Sequence, residues 1–327
     1  MLSVNKLAFR LIKTLIDDHE RLGVKVIKLR NGAKIIDAGI EALGSLEAGI
    51  KISEISLGGL AKVSVLPTSY NGTTLLSTYV STDSPSIAIF GSQLPLLSLF
   101  KIDDYSAIIS GPGKTLIREL DPRSKELFEK IQYKDSSKVA IFILQTDRIP
   151  NENIAKYLAK QCRVMLKNLY LIVTPTNSVV GSIQVSARML EITLWRLLNV
   201  LKFSPNKIIA ASGSAPISPV YPEIWRRLGI TPDDMLMNGS RVVLLIKPEK
   251  DDDLEYLTKN MVIEASRAYG KSFYEMLKEA DFDFYKVDHS SVAPAQIVIY
   301  DFLSGKIHEA GKLNIDLIKR IASQSLN

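Results

Sequence analysis

The sequence predicts an α+β protein of two mixed α/β domains. Three observations predict it. A length of 327 residues exceeds one domain of the usual about 100–200 residues. Strand-like and helix-like segments alternate without the strict βαβ rhythm of a doubly wound sheet. One long apolar helix, Gly181 to Leu201, lies late in the chain. Two loop-rich stretches, LPTSYNGTTL at 66–75 and TPTNSVVGS at 174–182, divide the rest. The expected domains are residues 1–67 with 180–327, which carry the long helix, and an inserted domain at 68–179.

Leu2 to Leu22 has apolar residues at helical spacing and stops at Gly23, where a C-terminal glycine belongs. Val24–Leu29 and Ala33–Asp37 flank Asn31-Gly32 and read as a hairpin. The alternating segments Ile50–Ile55 and Ala61–Leu66 read as strands joined at a tight Gly58-Gly59 corner, where backbone or a flat ligand could approach closely. Further strands are expected at 76–80, 86–90, 105–110, 139–145 and 169–173, with a helix at 153–161. After the long helix come a strand at 207–211, a proline-rich loop, a strand at 241–246 and a helix at 254–269. A helix running into a strand is expected over 272–288, then a hairpin turning at Ser304-Gly305.

The long helix carries one polar stripe. At roughly 100° per residue, Gln184, Arg188, Glu191, Trp195 and Asn199 fall within about an 80° arc. A solvated face would carry Lys and Glu at each outward position, whereas a single Arg, a single Glu, an amide and an indole suit a cleft wall. On spacing alone a second reading stands beside it, an ordinary helix-surface ion pair between Arg188 and Glu191.

Hydrophobic residues are 46 % and charged residues 23 %, with a net charge of +6, which is a globular composition favouring anionic ligands. Lys and Arg are scattered and no aromatic-rich basic motif stacks bases, so nucleic acid is not an expected partner. Cys162 is the only cysteine, which excludes an intrachain disulfide and suggests a cytoplasmic location. No window reaches the about 18 uninterrupted apolar residues of a membrane span, because Arg188, Glu191 and Arg196 interrupt even the long helix. The N-terminus reads as an amphipathic helix rather than a targeting segment.

Standard chemistries are missing. His19, His289 and His308 stand at no metal-ligand spacing, and no metal or nucleotide cofactor is expected. There is no G-x-S-x-G elbow. SGPGKT at 110–115 has the end of a phosphate loop, but its leading glycine position is Ile108, so only an anion-friendly loop at Gly111–Lys114 survives. A hydrolase or lyase working by acid-base residues remains.

NGAKIIDAG, SEISLGGLAKV, SGPGK, VTPTNSVVGSIQVSARMLE, APISPVYP, AYGKSFYEMLKEADFDFYKVD and VAPAQIVIYDFLSGKIHEAG follow one another over nearly the whole chain. In this order they resemble the archaeal methenyltetrahydromethanopterin cyclohydrolases. The resemblance implies two domains with a deep cleft between them, a homotrimer, and hydrolysis of the methenyl bridge of a tetrahydropterin to the formyl form in one-carbon metabolism. It implies that Arg188 and Glu191 are catalytic. The substrate carbon, flanked by two nitrogens, is already electrophilic. Glu191 is expected to orient a water and take its proton, and Arg188 to keep Glu191 ionised and to donate to the new oxygen. Gln184 and Trp195 are candidates for the water or the flat pterin. Ser110, Gly111, Lys114, Gly58, Gly59 and Lys271 are the remaining candidate substrate contacts.

Three positions depart from the family's usual pattern. Leu94 stands where a lysine is expected, Ala38 where the motif reads Asp-Cys-Gly, and Arg267 within the Ser-Glu-Gly-Tyr-Gly motif. They leave open a second reading, a catalytically weakened relative that binds a pterin as carrier or sensor.

Overall fold

The computed structural model describes residues 2–95 and 100–324. In chain order they form α1 (Val4–Asp17), β1 (Lys25–Lys28), β2 (Lys34–Asp37), α2 (Leu46–Ser56), β3 (Lys62–Tyr70), β4 (Thr73–Thr82) and α3 (Pro85–Ala88). Then come β5 (Phe100–Ile102), β6 (Tyr105–Ser110), α4 (Pro122–Ile131), β7 (Ala140–Gln145), α5 (Glu152–Cys162), β8 (Leu169–Thr174) and α6 (Val179–Ser186). The chain continues through α7 (Met189–Asn199), β9 (Ile208–Pro216), α8 (Pro222–Leu228), α9 (Pro232–Gly239), β10 (Arg241–Ile246) and α10 (Leu254–Asn260). It ends with α11 (Phe273–Glu279), β11 (Gln296–Asp301), β12 (Ile307–Gly311) and α12 (Ile315–Gln324).

Two mixed sheets with helices give the expected α+β class. The chain divides into two compact units, residues 1–62 with 87–184 and residues 63–86 with 185–327. By this division residues 1–62 group with 87–184, whereas the expectation joined 1–67 to 180–327 and set 68–179 apart. The stretch 66–75 is a hairpin between β3 and β4 rather than a linker. Asn71 (φ 48°) and Gly72 (φ 89°) both occupy the left-handed region that a two-residue hairpin turn demands.

The first unit holds a six-stranded sheet in the order β1-β2-β8-β7-β6-β5. β2, β8 and β7 run parallel at its centre, and β1, β6 and β5 are antiparallel additions. Parallel strands covered on both faces need apolar residues throughout, and KIID, AIFILQ and LYLIVT supply them. Ile35, Phe142, Leu144, Leu171 and Val173 pack on α5 through Ile154, Ala155 and Leu158. The alternate residues Ile36, Ile141, Ile143 and Ile172 pack on Ala8, Ile12 and Leu15 of α1 and on Ala48, Ile52 and Ile55 of α2.

Two expected strands of this unit are helical. Residues 46–56 form α2 because Ser45 caps it, its side chain accepting from Ala48 N, and the buried Ala48, Ile52 and Ile55 recur at helical spacing. Residues 86–90 lie in α3 and the single π-helical turn Ile89–Gln93 that follows it.

The second unit holds the sheet β12-β11-β10-β9-β4-β3. Along β10, Val242, Leu244 and Ile246 are buried while Arg241 and Val243 are exposed, the period-two signature of a sheet with one covered face. α7 and α9 both pack against β9. Met235 of α9 joins Tyr70, Ile230, Ile318 and Ile321 in this unit's core. The helix expected over 254–269 ends at Asn260, and α11 leads into short 3-10 turns rather than a strand. Among the described residues no helix is long and apolar enough to cross a membrane.

Candidate active site

The helix expected to run unbroken from Gly181 to Leu201 is interrupted at its polar stripe. α6 ends at Ser186, Ala187 and Arg188 form a turn, and α7 begins at Met189. Ser186 fixes the break: its Oγ donates to Ala215 O at 2.9 Å and lies 2.6 Å from Thr78 Oγ1, tying the end of α6 to β9 and β4. Arg188 becomes the residue that precedes the first turn of α7 (φ −92°, ψ 8°), and its carbonyl accepts from Ile192 N at 3.1 Å. Glu191 thereby falls in the first turn of α7, where the unpaired amides of a helix N-terminus favour negative charge.

Arg188 Nη1 donates to Glu191 Oε2 at 2.5 Å, with side-chain exposures of 8 % and 11 %. This is a buried ion pair and not a solvated one on a helix surface. Withdrawing two such charges from water costs several kcal/mol, offset only by close and well-aligned pairing. A site that spends this much on one carboxylate and one guanidinium holds a directed acceptor beside a directed donor, the components of water activation.

A second pair of acidic residues lies in the same unit. Asp233 and Asp234 occupy the first turn of α9, after Thr231 and Pro232. Asp234 is consumed by structure: Oδ2 accepts from Thr231 N at 2.7 Å, and Oδ1 accepts from Phe273 N at 2.7 Å. Asp233 is partly exposed. Burial pushes its carboxyl up to about 7; Asp234 and Glu191 add to the rise, while Arg188 opposes it. Burial likewise lifts Asp234 to about 6, against the pull of its hydrogen bonds. Among the described residues no three His, Cys, Asp or Glu side chains gather as metal ligands would.

The family model described as Cyclohydrolase (MCH) matches residues 3–321. The methenyltetrahydromethanopterin cyclohydrolase of Methanocaldococcus jannaschii is 41% identical over 322 residues, 98% of each chain. That of Methanobrevibacter smithii is 38% identical over 323 residues, again 98% of each. That of Methanothermobacter thermautotrophicus is 38% identical over 322 residues, 98% of this chain and 99% of the relative. The chain belongs to the methenyltetrahydromethanopterin cyclohydrolase family.

In this member of the cyclohydrolase family, the other candidate residues have diverse surroundings. In the first unit Ser110, Gly111 and Lys114 are brought together with Leu94. Gly111 (φ 97°) donates its N–H to Ser92 O at 3.0 Å, and the buried Lys114 ammonium donates to the carbonyl of Leu94. The main chain at Leu94 thus engages a cation although its side chain is not one. Gly58 and Gly59, both with positive φ, end α2 and abut α1; a Cβ on Gly58 would stand 2.8 Å from Val4 Cβ. Gln184 is buried in α6.

In the second unit Trp195 is partly exposed one turn beyond Glu191. Lys271 is exposed and pairs with Glu279 at 2.7 Å. It lines a cavity of about 670 Å³ with Asp234, Tyr269, Ser272 and Arg320, a lining that includes neither Arg188 nor Glu191. Arg267 is exposed, and Ala38 is buried in the core of the first unit.

Sequence reasoning passed over Asp233 and Arg196. The T-x-x-D spacing of Thr231 and Asp234 is a capping-box signal. Had it been read, it would have assigned Asp234 to the cap and left Asp233 without a structural role. Arg196 figured only as an interruption of an apolar run. It is buried and donates to the carbonyls of Asn260, Ser290 and Ala265 at 2.7, 2.9 and 3.3 Å.

Proposed function

We propose that this chain hydrolyses the methenyl bridge of a methenyl-tetrahydropterin to the formyl form, with Glu191 as base and Arg188 as its partner. The observation that carries the reading is the buried Arg188–Glu191 pair at the start of α7, in a chain matched end to end by cyclohydrolases.

The substrate is an amidinium-like cation whose carbon lies between two nitrogens. Water adds to that carbon as Glu191 takes one of its protons, so the C–O bond forms without a metal to polarise the centre. The adduct's remaining O–H then yields its proton as the carbonyl forms, one C–N bond breaks, and the released nitrogen ends with one proton. The sum is cation plus water giving neutral formyl product and one proton. Arg188 favours the carboxylate form of Glu191 and can donate to the developing oxygen. No resident metal or nucleotide is assigned, because the carbon is electrophilic as delivered.

The candidate substrate contacts keep unequal support. Gln184 and Trp195 adjoin the pair in sequence, and the Ser110-Gly111 to Lys114 loop offers an anion-friendly backbone. Gly58 and Gly59 have a packing role and Lys271 an ion pair that already account for them. A cytoplasmic homotrimer is the assembly we assign, on family likeness and the single cysteine.

The test follows the near-ultraviolet absorbance of the methenyl carrier on mixing with the full chain and with Glu191→Gln. The wild type is expected to exceed the enzyme-free rate and the variant to lose about 100-fold or more. A wild-type rate equal to the enzyme-free rate would overturn the proposal.

A further inference from the structure

Two buried hydroxyls meet where α6 gives way to α7. Ser186 Oγ donates to Ala215 O at 2.9 Å, which spends the one hydrogen of that hydroxyl. The 2.6 Å contact between Ser186 Oγ and Thr78 Oγ1 therefore has Thr78 as donor and Ser186 as acceptor. Thr78 stands opposite Ala215 in the β4–β9 register, so the chain from Thr78 through Ser186 to Ala215 O grips the end of α6 against two paired strands. All three residues are buried, and a partner lost there is not replaced by water.

The same strand holds the chain again three residues later. Met189, the first residue of α7, lies against Gly213 of β9, where an added Cβ would stand 2.8 Å from Met189 Cγ and 2.9 Å from Arg241 O. These two anchors bracket Ala187 and Arg188, and the chain tightens between them. Arg188 N donates to Val185 O at 3.0 Å, a three-residue step in place of the helical four. Ile192 N then donates to Arg188 O at 3.1 Å as α7 begins, and Arg188 Nη1 meets Glu191 Oε2 at 2.5 Å. All of these residues belong to the second unit.

We propose that Ser186 and Thr78 are positioning residues of the Arg188–Glu191 pair, setting through the 187–188 turn the geometry in which the pair acts on water. The proposal rests on the cyclohydrolase reading above. Neither hydroxyl makes or breaks a bond of the substrate. They act by holding the carboxylate and the guanidinium where a bound water and its target carbon need them. A misplacement of about 1 Å in such a group costs on the order of 100-fold in rate. Alanine at 186 removes the grip and, beside Ala187, supplies two strong helix formers in a row. The turn then relaxes toward continuous helix and carries Arg188 with it.

The experiment measures kcat and KM of the full chain on the methenyl carrier for wild type, Ser186→Ala, Thr78→Val and Thr78→Ser, each first shown to be folded by circular dichroism. Crystal structures of wild type and Ser186→Ala accompany the kinetics. Ser186→Ala is expected to lose about 10- to 100-fold in kcat with KM held within about twofold. Its structure should show Arg188 Nη1 and Glu191 Oε2 parted beyond about 4 Å, the reach of an ion pair. Thr78→Val loses about 3- to 10-fold in kcat, and Thr78→Ser, which keeps the hydroxyl, recovers most of that loss. A folded Ser186→Ala enzyme with wild-type kcat, or with the pair still in contact, overturns the proposal. So does Thr78→Ser as slow as Thr78→Val, which would trace the loss to packing. If Ser186→Ala does not fold, the two Thr78 variants decide. An inactive wild type would remove the cyclohydrolase reading itself, and the two crystal structures would still decide the positioning.

Discussion

Arg188 Nη1 and Glu191 Oε2 meet at 2.5 Å across the turn that starts α7, both side chains nearly shielded from water. Removing either partner leaves the other charge buried without its counterpart, a cost of about 3–5 kcal/mol. Arg188→Gln and Glu191→Gln are each expected to lose most of the activity and a comparable share of stability. The double variant should regain part of the stability and none of the activity. A denaturant double-mutant cycle measures this. Single losses that simply add would show the pair to be uncoupled.

The two α9 carboxylates predict opposite uses of neighbouring residues. Burial raises Asp233 to about 7 and Asp234 to about 6, from 3.8 when unperturbed. A raised carboxyl binds its proton more tightly in the folded chain than in the unfolded one. Between about pH 4 and 7 folding therefore takes up protons, and these groups contribute less stability as pH rises. Asp233→Asn removes its share, so the variant's Tm should fall less than the wild type's between about pH 5 and 8. The difference should reach several °C, at about 2–4 °C per kcal/mol for a chain of this size. Asp234→Asn instead breaks the cap to Thr231 and the bond to Phe273, and should lower Tm across the whole range. Parallel Tm curves for wild type and Asp233→Asn would contradict this account.

What could be read from the sequence follows from periodicity. The parallel core strands β7 and β8 and the Asn31-Gly32 hairpin were legible because continuous apolar runs and paired turn residues have few other uses. Residues 46–56 misled because Ile50, Ile52 and Ile55 satisfy alternation and helical spacing together, and only the Ser45 cap separates the two. The stripe brought Arg188 and Glu191 together for a reason that proved incomplete. Their contact arises at a helix break, which tertiary bonds from Ser186 to β4 and β9 impose, and no local propensity encodes those bonds.

Gly58 offers a test of packing against recognition. Its φ of 68° disfavours any side chain, and an added Cβ would press within 2.8 Å of Val4 on α1. Gly58→Ala is expected to lower stability by about 1–3 kcal/mol. KM of the folded enzyme should stay within about twofold, because the strain falls between α2 and α1. A large rise in KM with unchanged stability would return Gly58 to the substrate.

Arg196 joins α7 to three separate stretches by donating Nε to Asn260 O, Nη1 to Ser290 O and Nη2 to Ala265 O. Burial lowers its pKa, so the charge is held at a desolvation cost that only these carbonyls repay. A lysine can bring one ammonium and cannot span the three directions of a planar guanidinium. Arg196→Lys is therefore expected to lose about 1–3 kcal/mol, nearly as much as Arg196→Ala, because neither can engage all three carbonyls. The loss should be local before it is global, with faster amide exchange at 260–266 and 290–291 while β9 and β10 keep their protection. Equal protection of those segments in wild type and Arg196→Lys would mean that one charge suffices and that the fork geometry carries no weight.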